Sequence, residues 1–115
     1  DKAALRDGSV FEYCKLNDMV IQAWSVLQFG YFKGNFVGNE KFQQLNQVLN
    51  RLALKYGVSP SAIAIAWVLR YPAKMQAVVG TTSPKHLIEA SQASHVNLTR
   101  KEWYEIYLAA GNDLP

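Results

Sequence analysis

A single cysteine, Cys14, excludes an internal disulfide and any cysteine-rich metal centre, so a reducing compartment is the expected setting. No apolar run approaches the 18 or so residues that a membrane-spanning helix needs. The opening residues Asp1, Lys2, Arg6 and Asp7 are charged, unlike a signal peptide. These absences point to a cytoplasmic protein with no membrane partner. Charge is sparse at 18%, and although the formal net charge is +3, lysines and arginines are scattered and nowhere form a run. No basic stripe exists to track a phosphodiester backbone, so nucleic acid is not an expected partner. His95 has no partner at metal-ligand or base spacing, neither histidine has an obvious orienting acid, and there is no Gly-x-Ser-x-Gly elbow. The glycines from Gly30 to Gly38 lack the Gly-Lys-Ser/Thr ending of a triphosphate-binding loop.

What is present is apolar material: half of the 115 residues are hydrophobic, enough for the core of one domain. A helix is expected from Asp7 to Leu16, where Val10, Phe11 and Cys14 recur at helical spacing and Cys14 reads as a core thiol. Met19 to Trp24 is almost continuously apolar, the pattern of a parallel strand covered on both faces. Ser25 to Glu40 mixes glycines with Phe29, Tyr31, Phe32 and Phe36 and reads as a long irregular loop that covers something. Phe42, Leu45, Val48, Leu49, Leu52 and Tyr56 then mark a one-faced helix ended by Gly57. Ser59 and Pro60 open a helix to Arg70 with hardly any polar face, which requires burial on most sides. A second strand spans Met75 to Val79, a helix runs from Pro84 to about Ala93, and Thr99 to Glu102 form a capping box for the last helix. In that reading Trp67 and Trp103 are core residues, Glu105 is solvated and His95 lies at a solvated helix end.

The order is α/β with two parallel strands and surrounding helices. Two strands alone cannot cover so apolar a helix or satisfy their outer ladder groups, so a completing surface is expected. The sharpest local feature is Val79 to Leu87. Gly80 permits close backbone approach, Ser83 caps a helix, Pro84 fits its first turn, and amides from Thr82 to Lys85 face an anion. On local chemistry this is either a phosphate cradle or an ordinary βα turn.

Three segments together resemble the aldo-keto reductase family of (β/α)8 TIM barrels. Ile21-Gln22-Ala23-Trp24-Ser25-Val26-Leu27 is similar to its seventh strand and following loop. Leu52 through Leu69, with Tyr56-Gly57-Val58-Ser59-Pro60, resembles its seventh helical region, and Val79-Gly80-Thr81-Thr82-Ser83-Pro84-Lys85-His86-Leu87 its eighth strand and turn. Leu98 to Trp103 is similar to its last helix. The resemblance covers most of residues 12 to 115 and implies that residues 1–115 are one partial domain, the C-terminal, cofactor-binding part of the barrel.

It implies a nicotinamide cofactor, NADP or NAD, and a small carbonyl compound as substrate of the complete protein. Trp24 would stack on the nicotinamide ring, and Ser25, Leu27, Gln28 and Gly30 would pass the pyrophosphate. Gly80, Thr81, Thr82 and Ser83 would receive the adenosine phosphate end, with His86 and Glu89 facing that phosphate and the adenine. His86 stands where many members carry arginine, Gly80 where some carry lysine, and Ala90 where asparagine is common, which weakens contact to a 2'-phosphate. Val26 replaces a usual proline and would loosen the turn. The family's catalytic aspartate, tyrosine, lysine and histidine have no counterpart in this sequence. A second reading is a non-catalytic barrel piece that folds by self-association or by complementing a missing half.

Overall fold

Among the described residues, helices α3 (Pro60–Leu69), α4 (Pro84–Ser91) and α5 (Arg100–Ala109) each start at a serine or threonine whose side chain caps the first turn. The computed structural model describes residues 8–30 and 33–114. Helix α1 (Ser9–Leu16) leads into β1 (Ile21–Trp24). A loop and a 3-10 turn (Glu40–Phe42) precede α2 (Gln43–Tyr56), α3 (Pro60–Leu69) and β2 (Met75–Val78). Helix α4 (Pro84–Ser91), a 3-10 turn (Gln92–His95) and α5 (Arg100–Ala109) complete the order. The anticipated helix start at Asp7 and the aromatic residues Tyr31 and Phe32 lie outside the described residues.

Gly57 ends α2 with φ 67°, a left-handed conformation that a residue with a side chain adopts only at a cost. Ser59 caps α3 by accepting the Ala62 N–H, and Pro60 takes the first position, where an amide is not needed. Ala62, Ile63, Ala64, Ile65 and Ala66 of α3 are all buried, as its nearly all-apolar sequence demands. Helix α3 packs against α2, β2, α4 and the turn at Gln92–His95. Leu49, Leu52 and Ile63 are the largest fully buried side chains. Each contributes about 1.5–3 kcal/mol by leaving water.

The strands pair in parallel, with Gln22 opposite Gln76 and Trp24 opposite Val78. Their covering differs from the sequence expectation. Residues alternate between half-buried and exposed along both strands, and Trp24 is 67% exposed. Ala77 and Val79 pack on the helical core, while Gln22, Trp24, Gln76 and Val78 share the open face, where Gln22 Nε2 donates to Gln76 Oε1 at 3.2 Å. Among the described residues only one face of the sheet is covered. A continuously apolar strand reports the burial of a full barrel, and two strands supply only part of that cover.

Cys14 also departs from expectation: it is half-buried, and no residue of α1 is fully buried. The helix is held at its edge by Phe11, whose ring lies 4.9 Å from that of Tyr71. Trp67 and Trp103 are half-buried rather than interior. Their rings stack at 4.6 Å, and each indole N–H donates to the other residue's carbonyl, at 3.0 and 3.1 Å, which ties α3 to α5. Glu105 pairs with Arg51 of α2 rather than standing free in solvent. His95 is exposed, as anticipated.

The capping box of α5 is present as read, with Thr99 Oγ1 accepting from the Glu102 N–H and Glu102 Oε1 accepting from the Thr99 N–H. Glu102 is also buried, and it accepts from Lys55 Nζ at 2.7 Å and from the Tyr56 hydroxyl. Burial opposes its ionisation, but the hydrogen bonds from Lys55, Tyr56 and Thr99 outweigh that and pull its pKa down to about 2. The same bond to Glu102, with burial and the carboxylate's charge, pushes the Tyr56 phenol up to about 12.

The folded-state pKa of Glu102 is below its ordinary 4.5, so its stabilisation is complete above that value and is lost as pH falls toward 2. Denaturant midpoints measured from pH 6 to pH 2 are expected to drop most steeply between pH 4.5 and 2. In a Glu102→Gln variant that steep portion flattens.

Candidate active-site cleft

Because β1 and β2 run parallel, their carboxyl ends emerge side by side, and the loops that leave them border one cleft. Its volume is about 510 Å³, within the range of small-molecule and cofactor sites. Trp24, Ser25, Leu27 and Gln28 line it from the end of β1 and the loop that follows. Gly80, Thr81, His86 and Glu89 form the wall from β2 and α4.

The backbone turns sharply after Trp24. Ser25 has φ 55°, unusual for a residue with a side chain, and such local strain gathers at functional sites. The Gln28 N–H donates to the Ser25 carbonyl at 2.9 Å, so the turn is closed without the proline whose loss was expected to loosen it. The loop beyond is pinned from below. Buried Asn46 accepts the Gly38 N–H at 2.8 Å, and its amide nitrogen lies 2.9–3.1 Å from the carbonyls of Phe36, Asn39 and Phe42. Phe29 and Phe36 pack around Phe42, so this loop covers the α2 end of the core.

On the other wall, Ser83 caps α4 by accepting the His86 N–H at 3.5 Å, and Pro84 sits in its first turn. Thr81 Oγ1 accepts the Ser83 N–H at 3.1 Å, which removes one of the amides the sequence offered to an anion. Gly80 has no positive φ and was not chosen for backbone freedom. A Cβ there would meet nothing within 4 Å, so glycine keeps this part of the wall open.

Eight of the eleven residues anticipated for cofactor contact therefore line one cleft. Gly30, Thr82 and Ser83 do not. Gly30 faces the Lys33 side chain, which a Cβ would approach at 2.8 Å. Ser83 is spent on the cap and Thr82 is exposed. The cleft also takes in Asn35, Ser61 and Ile65, which sequence reasoning passed over. Asn35 arrives through an antiparallel bridge to Gln28, and Ser61 through the first turn of α3. Neither has a signature in sequence, since both depend on which loop crosses which helix.

Parallel strands joined through helices, with a cleft at their carboxyl ends, are the arrangement of an α/β fold such as a (β/α)8 barrel. Residues 5–109 match the model of the Aldo/keto reductase family, and the chain belongs to that family. It is 37% identical over 94 residues to a 6-dehydroglucose reductase of Agrobacterium fabrum, covering 80% of this chain and 30% of that protein. It is 30% identical over 95 residues to Oxidoreductase YdhF of Escherichia coli, covering 81% and 30%. The chain thus spans about a third of the length of these relatives. Among solved structures, a thermostable aldo-keto reductase, Tm1743, aligns over 94% of this chain and 36% of its own, with a TM-score of 0.64 at 23% identity. MGS-M4, an aldo-keto reductase from a deep-sea metagenome library, aligns with a TM-score of 0.64 at 17% identity, over 96% of this chain and 37% of its own. These likenesses confirm the fold: α/β, with the two-stranded parallel part of a TIM barrel. No helix among the described residues is long and apolar enough to cross a membrane.

Proposed function

We propose that this chain is the C-terminal, cofactor-binding part of an NAD(P)H-dependent aldo-keto reductase that converts carbonyl compounds to alcohols. The observation that carries the reading is the single cleft that joins the exposed indole of Trp24 to the Gly80–Thr81 turn and the first turns of α4. Such a cleft suits a long ligand with a flat ring at one end and phosphates at the other. The bound nicotinamide would supply hydride to a substrate carbonyl. Trp24 fixes the ring plane, Ser25 and Gln28 border the pyrophosphate path, and Thr81 offers a hydroxyl beside it. His86 and Glu89 meet the adenosine end. Gly30, Thr82 and Ser83 act by shaping the loops around the cleft. Proton donation falls to residues outside this sequence, and a cytoplasmic setting suits the single thiol. Two curated relatives are named 6-dehydroglucose reductases, which brings oxidised sugars into the substrate class.

Calorimetric and fluorescence titrations of the full chain with NADH and NADPH test this reading. Binding should quench tryptophan emission. Trp24→Ala should weaken binding about tenfold or more, the usual effect of losing an aromatic stacking platform. An unchanged affinity removes Trp24 from the site.

A specific feature supports the second reading, association with a completing surface. The sheet face bearing Gln22, Trp24, Gln76 and Val78 is open, and nearby Met19 and Val20 are about half exposed. A dimer mass in sedimentation, with no response to either dinucleotide, favours that alternative.

A further inference from the structure

A second cavity, of about 400 Å³, opens between the end of α3 and the start of α5. Arg70, Tyr71, Pro72, Arg100, Trp103 and Tyr104 line it, so two guanidiniums and three aromatic rings meet there with no carboxylate among them. The chain enters β2 through Tyr71 and Pro72, which puts this cavity toward the amino end of that strand, and it shares no residue with the cleft. Arg70 is oriented. Its Nε donates to the carbonyl of Leu98 at 3.1 Å, just before the Thr99 cap, which ties its guanidinium to the start of the helix that carries Arg100.

The carboxylates of α5 are committed elsewhere: Glu102 is buried against Lys55 and Tyr56, and Glu105 pairs with Arg51. Among the described residues neither Arg70 nor Arg100 pairs with an acid. Lys101 stands beside Arg100 in the first turn of α5, where the backbone dipole is already positive and acids are the usual occupants. Like charges around one cavity repel each other, and an anion between them relieves that repulsion.

We propose that this cavity binds a small phosphate monoester with a ring in its body, at a site separate from the cleft. Guanidiniums make forked, charge-assisted contacts with phosphate oxygens, and two of them match the charge of about −1.5 to −2 that a phosphate monoester carries near neutral pH. A single carboxylate would leave one arginine uncompensated. Ring edges are positive, and the phenols of Tyr71 and Tyr104 are donors, so the aromatic lining also favours an anion. The volume lies in the range of small-molecule sites and exceeds what a bare oxyanion fills, leaving Pro72 and the rings to contact an apolar body. The walls are braced from outside the cavity: Trp103 stacks on Trp67 at 4.6 Å, and Tyr71 packs on Phe11 at 4.9 Å.

The test is calorimetric titration of the full chain with phenyl phosphate, with inorganic phosphate and benzoate as comparison probes. Phenyl phosphate should bind saturably and about tenfold or more tightly than either, since one lacks the ring and the other the second charge. Arg100→Gln should weaken its binding about tenfold or more, the loss of one charge-assisted, forked contact. The Arg100 side chain is exposed and makes no hydrogen bond among the described residues, so the variant should keep the wild-type denaturant midpoint. His86→Ala, on the cleft wall, should leave the affinity unchanged. A loss in His86→Ala with none in Arg100→Gln puts the probe in the cleft and overturns the proposal. Equal binding of inorganic phosphate or benzoate overturns the ligand class, and the absence of saturable binding overturns the site.

Discussion

Ile63→Ala is expected to lower the unfolding free energy by about 3–4 kcal/mol. Ile63 is 0% exposed at the centre of α3, whose five consecutive buried residues face helices on several sides and the sheet on another. Three carbons removed there leave a void bounded by elements that cannot collapse independently, because α2, β2, α4 and the Gln92–His95 turn all pack on this helix. The loss combines the transfer term with the cavity term. It is a large share of the few kcal/mol that keep a domain of this size folded. Urea unfolding followed by circular dichroism should show a lower midpoint at constant slope. Ile63→Val, which removes one methyl group, should cost about 1 kcal/mol. Equal effects of the two substitutions would mean that the site is looser than its burial implies.

Glu102→Ala is expected to cost about 2–4 kcal/mol, more than a helix cap alone. The substitution removes the acceptor shared by the Thr99 N–H, Lys55 Nζ and the Tyr56 hydroxyl, the last two of which reach Glu102 from the end of α2. It therefore loosens the α2–α5 contact as well as the start of α5. Lys55→Met separates the two contributions: it leaves the capping box intact and should cost less than half as much. A loss confined to about 1 kcal/mol in Glu102→Ala would reduce this residue to an ordinary cap.

Much of the fold was legible because its signals are local. Gly57, the Ser59–Pro60 start and the Thr99–Glu102 box act through groups within four residues of one another, and all three stand where the pattern placed them. The nearly all-apolar run of α3 announced burial without naming its neighbours. Cys14 and the strand faces were read wrongly for one shared reason. Apolar character reports that a residue can be buried, while the amount of cover depends on how many elements are at hand to supply it.

The cleft was legible in part. The indole at the end of β1 and the glycine turn after β2 were visible because each sits at a strand-to-loop junction, and parallel pairing brings such junctions together. Asn35 and Ser61 were invisible, since they reach the cleft across a loop bridge and a helix start. Asn46, which pins the loop, looks in sequence like one more polar residue of an amphipathic helix.

Helix caps and apolar spacing indicated on their own which segments become helices and where most of them start or stop. Those outcomes depend on bonds and contacts within a turn or two of chain. Tertiary structure alone decided that Glu102 is a buried anion held by Lys55 and Tyr56, that one sheet face stays open, and that His86 and Glu89 share a wall with Trp24's cleft. Such juxtapositions join residues separated by dozens of positions, and only the packing of α3 against both its helical neighbours and the sheet brings them within reach.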